Sequence, residues 1–171
     1  MAYSGYVQPH SQYDQHGGKC DVQILVENRT RYNLSSQQAM PRSGVISHPP
    51  LSIPPYANGS FKSHSHATAH GASGVVSWLI DGTCFRLVIF WDDPYNHMIY
   101  GNRLAIGISQ TQSHRDWWDE ISRGMNVPNL LYALKSFKRD TGAVFHQSNN
   151  FSIAGYMGTG HKVTVHVVLN E

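Results

Sequence analysis

The residues best suited to chemistry in this chain lie between two apolar runs. Leu87, Val88, Ile89, Phe90 and Trp91 are continuous and β-rich, and Leu104 to Ile108 begins a second apolar run. Between them stand Asp92, Asp93, Pro94, Tyr95, His97, Met98, Ile99 and Tyr100, too apolar for an ordinary hairpin tip. An exposed aromatic turn of this kind marks a contact site for lipid, sugar or another protein. Asp92 and Asp93 are adjacent, so on an extended strand end they point to opposite faces and cannot act as a paired acid and base. A second group, His64, His66 and His70, is the metal candidate, because strand residues two apart share a face. With no Asp, Glu or Cys beside it, a solvated edge-strand reading stands alongside. No Gly-x-Ser-x-Gly elbow, phosphate loop or His-Glu-x-x-His occurs, so the chain reads as a non-enzyme and calls for no cofactor.

These residues need elements to hold them, and the pattern predicts mainly strands. Asp21 to Glu27 alternates around Val22, Ile24 and Val26, and Lys162 to Leu169 alternates around Val163, Val165 and Val167; Leu34 to Met40 and Gly74 to Ile80 also read as strands, and Phe85 to Trp91, continuous rather than alternating, as a strand buried on both faces. Thr141 to Asn149 is a further strand and Asp81-Gly82 a hairpin turn. Pro41 to Pro55 carries five prolines and reads as an extended loop or edge segment, and Asn58-Gly59 reads as a tight turn. Ser113 to Arg123 changes period: Trp117, Trp118 and Ile121 are three and four apart, Ser113 can cap, and Gly124 can terminate. A second short helix is expected over Pro128 to Lys138 from Leu130, Leu131, Leu134 and Phe137. Residues 1–19 are polar with Gly, Pro and Gln, and read as a disordered segment before a single domain at 20–171.

Composition bounds the partners. Of 171 residues only 14% are charged and the formal net charge is +2, which gives no reason to invoke nucleic acid. Full protonation of the 11 histidines would carry the charge from +2 to about +13, strengthening contact with anionic surfaces below about pH 6.5. Cys20 and Cys84 either pair or remain thiols. No run of 18 apolar residues and no signal peptide is visible, so the expectation is a mature extracellular or target-membrane-associated chain, or one stored in the cytoplasm until release.

The central stretch resembles the actinoporin-like family of membrane-binding cytolysins. Those proteins carry an apolar strand, then Ser-Val-Pro-Tyr-Asp-Tyr-Asn-Trp-Tyr-Ser-Asn-Trp, then another strand; Pro94, Tyr95, Tyr100 and Asn102 fall at the same spacing. Ala72-Ser73-Gly74-Val75-Val76 is similar to the family's Ala-Thr-Gly-Val-Val, Arg42-Ser43-Gly44 to its Arg-Ser-Gly, and Gly160-His161 with Val163, Val165 and Val167 to its closing strand. The resemblance implies a β-sandwich of two sheets, about ten to twelve strands, with one or two short flanking helices. It also implies a site for a phosphocholine head group: Arg42 and Ser43 for phosphate, and Val75, Val76, Pro94, Tyr95, Tyr100 and Trp118 as the wall. Met98, Ile99 and Trp117 are the expected membrane contacts, with homo-oligomerisation on the bilayer. The chain departs from the family where Asp92 replaces a pocket serine, His97 a tyrosine, and Ile99 and Arg103 tryptophans. Residues 1–19 lack the amphipathic stripe of the family's pore-lining helix, so attachment is expected and pore formation by that route is not. The alternative is a lectin-like glycan-binding module on the same sandwich, since Tyr, Trp, Asn and His around a loop also suit sugar stacking.

Overall fold

The computed structural model describes residues 20–66, 69–139 and 142–171, with the side chain of residue 115 outside the description. Residues 1–19, read above as a separate disordered segment, lie outside it. The described chain is a β-sandwich. Its strands are β1 (Asp21–Asn28), β2 (Leu34–Ser43), β3 (Val45–His48), β4 (Asn58–His64), β5 (Ala72–Ile80), β6 (Arg86–Asp93), β7 (Arg103–Ser109), β8 (Leu130–Ser136), β9 (Val144–Ser148), β10 (Phe151–Met157) and β11 (Lys162–Asn170), with one helix, α1 (His114–Ser122). Six strands form one sheet in the order β3-β4-β1-β11-β10-β9, and five form the other in the order β2-β5-β6-β7-β8. All pairings are antiparallel except β1 with β11.

Alternation builds the core. Val22, Ile24 and Val26 of β1 and Val163, Val165 and Val167 of β11 face inward and are buried, as their period of two requires. Opposite them stand Trp78, Leu87, Ile89, Trp91, Leu104 and Ile106 of the five-stranded sheet. Phe61 of β4 bridges the layers, its ring 5.3 Å from Trp91 in an edge-on contact and 6.1 Å from Trp78. The five-stranded sheet is covered on its other face as well. There Val75, Val88, Phe90 and Ala105 pack with Trp117 and Ile121 of α1 and with Val127 and Leu130. That second cover is why β6 is apolar without alternation.

Two local expectations are corrected and a third is borne out. Pro128 to Lys138 holds strand β8, not a second helix: pairing with β7, from Arg103 with Ser136 to Ser109 with Leu130, outweighs the helical spacing of its leucines. Asn58-Gly59 is not a turn but the start of β4, and a side chain at Gly59 would meet Ile53 at 2.6 Å. The strand expected over Thr141 to Asn149 forms as β9 over Val144–Ser148, with Thr141 outside the described residues, and it turns back through Asn149 and Asn150, both at positive φ (53° and 64°), into β10. The helix at Ser113 does form, and Gly124 at φ 68° follows its end, but the Ser113 side chain makes no capping hydrogen bond. Cys20 is buried, Cys84 is exposed, and no disulfide joins them. Asn28, which opens the glycosylation-type triplet Asn28-Arg29-Thr30, is buried with its amide donating to the Tyr32, Ile53 and Pro54 carbonyls, which closes it to glycosylation.

Candidate functional site: an anchored aromatic loop and its flanking arginines

The loop from Pro94 to Asn102 leaves the end of β6 and returns to β7. A turn closes it, with the Tyr100 N–H donating to the Asn96 carbonyl at 2.9 Å and the Met98 N–H to Asn96 Oδ1 at 3.1 Å. Lys138 Nζ donates to the carbonyls of Met98 (3.1 Å) and Ile99 (3.0 Å), so two backbone acceptors at the tip carry a cation. At the root, Asn102 is buried and its amide donates to the Gly158 and Gly160 carbonyls at 2.8 and 2.9 Å. Gly101 packs so close to Lys138 that a Cβ would come within 2.6 Å of its side chain. The loop is thus tied at root and tip while its apolar side chains face outward. Met98 is 91% exposed, Ile99 and Tyr100 61% each, and Tyr95 40%.

Beside the loop, on the helix-bearing face, lies a set of stacked cations and rings. The Arg42 guanidinium sits 5.2 Å from the centre of the Trp118 ring and 3.7 Å from Asp119. Trp118 leans on Phe90, 5.9 Å between centroids, and the Arg103 guanidinium lies 5.7 Å from Phe90. Arg103 also donates to Asp92 Oδ2 through Nε (3.0 Å) and Nη2 (2.6 Å), and to the Ser122 carbonyl at the helix end (2.6 Å). Asp92, which replaces the serine expected in a phosphate pocket, is therefore neutralised by its cross-strand partner Arg103. Ser43, Ser73, Asp92 and Arg103 fall in one row across β2, β5, β6 and β7 at the loop end of the sheet. Ser43 Oγ donates to the Gly71 carbonyl at 3.0 Å.

The predicted site residues separate on this frame. Pro94, Tyr95, Met98, Ile99 and Tyr100 share the loop, and Arg42 joins Trp118. Val75 is buried beneath α1, and Val76 points the other way, into the core between the sheets, so neither offers a surface wall. Trp117, expected as a membrane contact, is fully buried in the helix–sheet cluster. Adjacent helix positions diverge by about 100°, so Trp117 inward leaves Trp118 at the edge. His64, His66 and His70 do not gather: β4 ends at His64, and His66 and His70 are exposed beyond it. Arg103 and Phe90 were missed as site components, because their partners come from a neighbouring strand and a helix far along the chain.

The described histidines also differ among themselves. His114 at the start of α1 bonds Ser77 Oγ at 2.7 Å, and Arg86 donates to the same oxygen at 2.8 Å. Burial, and secondarily the Arg86 charge, holds the His114 pKa below its usual value, against the Gln112 carbonyl, which raises it. Burial lowers His146 too. These two resist the uniform charging expected of the 11 histidines.

No family model matches the chain. It is 26% identical to Conoporin-Cn1 of Conus consors over 85% of this chain and 60% of that protein. With Tereporin-Ca1 of Terebra anilis it shares 29% identity over 90% of this chain and 85% of the relative, and with Echotoxin-2 of Monoplex parthenopeus 27% over 83% and 54%. The chain is similar to these actinoporin-like toxins of molluscs. It spans little more than half the length of the conoporin and the echotoxin, but most of the tereporin. Its fold is that of the solved lipid-binding protein Nakanori, with a TM-score of 0.72 at 14% identity, covering 91% of this chain and 73% of that one.

Proposed function

We propose that this chain is a non-enzymatic membrane-binding protein that attaches to phospholipid head groups through the 94–102 loop and acts at the surface of a target membrane. One observation carries the reading: Met98, Ile99 and Tyr100 are consecutive, exposed and held on a loop tied at its root and its tip. A monomeric soluble surface rarely keeps such a patch without a use. Relatives named as porins and toxins support a membrane as the partner. Within the proposed site, Tyr95 and Tyr100 offer ring faces to a choline cation, a contact of roughly 0.5–2 kcal/mol each. Arg42, beside Ser43 and stacked on Trp118, supplies the phosphate partner, and its exposure keeps it accessible. Weak contacts of this size become tight binding when several copies engage one bilayer.

The test is pelleting with vesicles that contain or lack sphingomyelin, with dye release measured alongside. Retention on phosphocholine vesicles, lost in Tyr100→Ala and in the Met98→Ser/Ile99→Ser double variant, is the expected result. Dye release would add assembly into pores to attachment. Failure to pellet with any phospholipid, or competition by soluble glycans alone, would overturn the lipid reading in favour of the lectin-like one.

A further inference from the structure

Beneath the aromatic loop, on the opposite face of β6 from Asp92, lies a group of metal-binding side chains that sequence spacing did not bring together. Cys20 immediately precedes β1, Asp93 ends β6, and His161 lies in the turn before β11. Cys20 and Asp93 are buried, His161 is half-buried, and one donor atom from each lies within 4.8 Å of the other two. Cys20 Sγ is 3.4 Å from His161 Nδ1, and that same nitrogen is 3.9 Å from Asp93 Oδ1. His97 from the loop donates through Nε2 to Asp93 Oδ1 at 2.7 Å, and its ring stacks on His161 at 3.8 Å between centroids.

We propose that Cys20, Asp93 and His161 form a divalent-metal site suited to zinc, at the root of the 94–102 loop. The donor set is one thiolate, one imidazole and one carboxylate, the N/S/O combination that borderline-soft zinc accepts. With metal–sulfur and metal–nitrogen bonds of about 2.3 and 2.0–2.1 Å, tetrahedral donors lie about 3.5 Å apart, close to the sulfur–nitrogen separation seen here. Charge also balances. The Cys20 thiol releases its proton to solvent on binding, and the thiolate and the Asp93 carboxylate then neutralise a dication, leaving a neutral buried centre. The geometry argues against a nucleophilic triad. A relay needs the cysteine and the acid on different imidazole nitrogens, whereas here both approach Nδ1 and so converge on one point. His97 orients the Asp93 carboxylate from outside, the role of a supporting partner to a metal ligand. The fourth position is left for water. Such a centre would clamp β1 and β11 of one sheet to β6 of the other and fix the point where the loop begins. It stands independently of what the loop binds.

The experiment uses the full chain, stripped with chelator under reducing conditions and titrated with Co²⁺ as a spectroscopic probe, then with Zn²⁺ in competition. The expected result is one equivalent of Co²⁺ with a near-ultraviolet thiolate-to-metal band, displaced by Zn²⁺, and a higher Tm in Zn²⁺. The band is lost in Cys20→Ser, weakened at least tenfold in affinity in His161→Gln, and kept in Cys84→Ser. Exposed histidines elsewhere can bind cobalt but give no thiolate band. A folded wild-type chain with no such band, or a band that survives Cys20→Ser and vanishes in Cys84→Ser, overturns the proposal. The wild-type titration decides the matter even if a variant fails to fold.

Discussion

Asn102→Ala tests whether the loop is held from its root. The Asn102 amide donates two hydrogen bonds, to Gly158 and Gly160, from a buried position. Each is worth about 0.5–1.5 kcal/mol net, and truncation also strips two carbonyls of a donor. Against this, Asn102 Oδ1 is itself buried without a partner, so its removal returns about 1 kcal/mol. The balance is a loss of about 2 kcal/mol, or a fall in Tm of about 4–8 °C for a domain of this size. Asn102→Asp keeps the shape but removes the donors and buries a charge beside two carbonyls, so it should cost at least as much. Urea unfolding would measure the stability of both variants, with vesicle pelleting below the transition to read the loop. An alanine variant within about 0.5 kcal/mol of wild type would refute the anchoring argument, as would an aspartate variant more stable than the alanine one.

The two adjacent tryptophans should behave oppositely. Trp117→Ala removes a fully buried ring and should cost about 3–5 kcal/mol in urea unfolding, whereas Trp118→Ala should cost far less and instead weaken vesicle binding by freeing Arg42. Stability should fall as pH drops below about 6.5. The folded-state pKa values of His114 and His146 are depressed, so the unfolded chain takes up protons first, and the loss grows until pH passes below the folded values. Thermal melts at pH 7.4 and 5.5 would show this, and His114→Gln should shrink the difference between them; an unchanged difference would count against the burial argument.

Much of the frame was legible along the chain. Val22, Ile24 and Val26, and Val163, Val165 and Val167, alternate because a strand with one wet face must, and period two survives any detail of topology. The helix at Ser113 announced itself by a change of period, and the loop by apolar residues where a turn should be polar. Asn102 and Gly101 could be located but not explained, since their partners lie across space in the 158–160 turn and at Lys138.

What sequence alone determined were features set by near neighbours: strand periods, the short helix after Ser113, the exposed loop and the family resemblance. Tertiary structure decided those that depend on long-range pairing. Strand pairing turned the leucines of β8 from helix to sheet, because β7 offered a ladder that local propensity could not outweigh. Packing chose which tryptophan faced inward, and which valine of Val75 and Val76 met which core. It also brought Cys20, Asp93 and His161, from distant parts of the chain, within reach of one ion. No local spacing could announce that meeting, because the closure of β1 and β11 against β6 creates it.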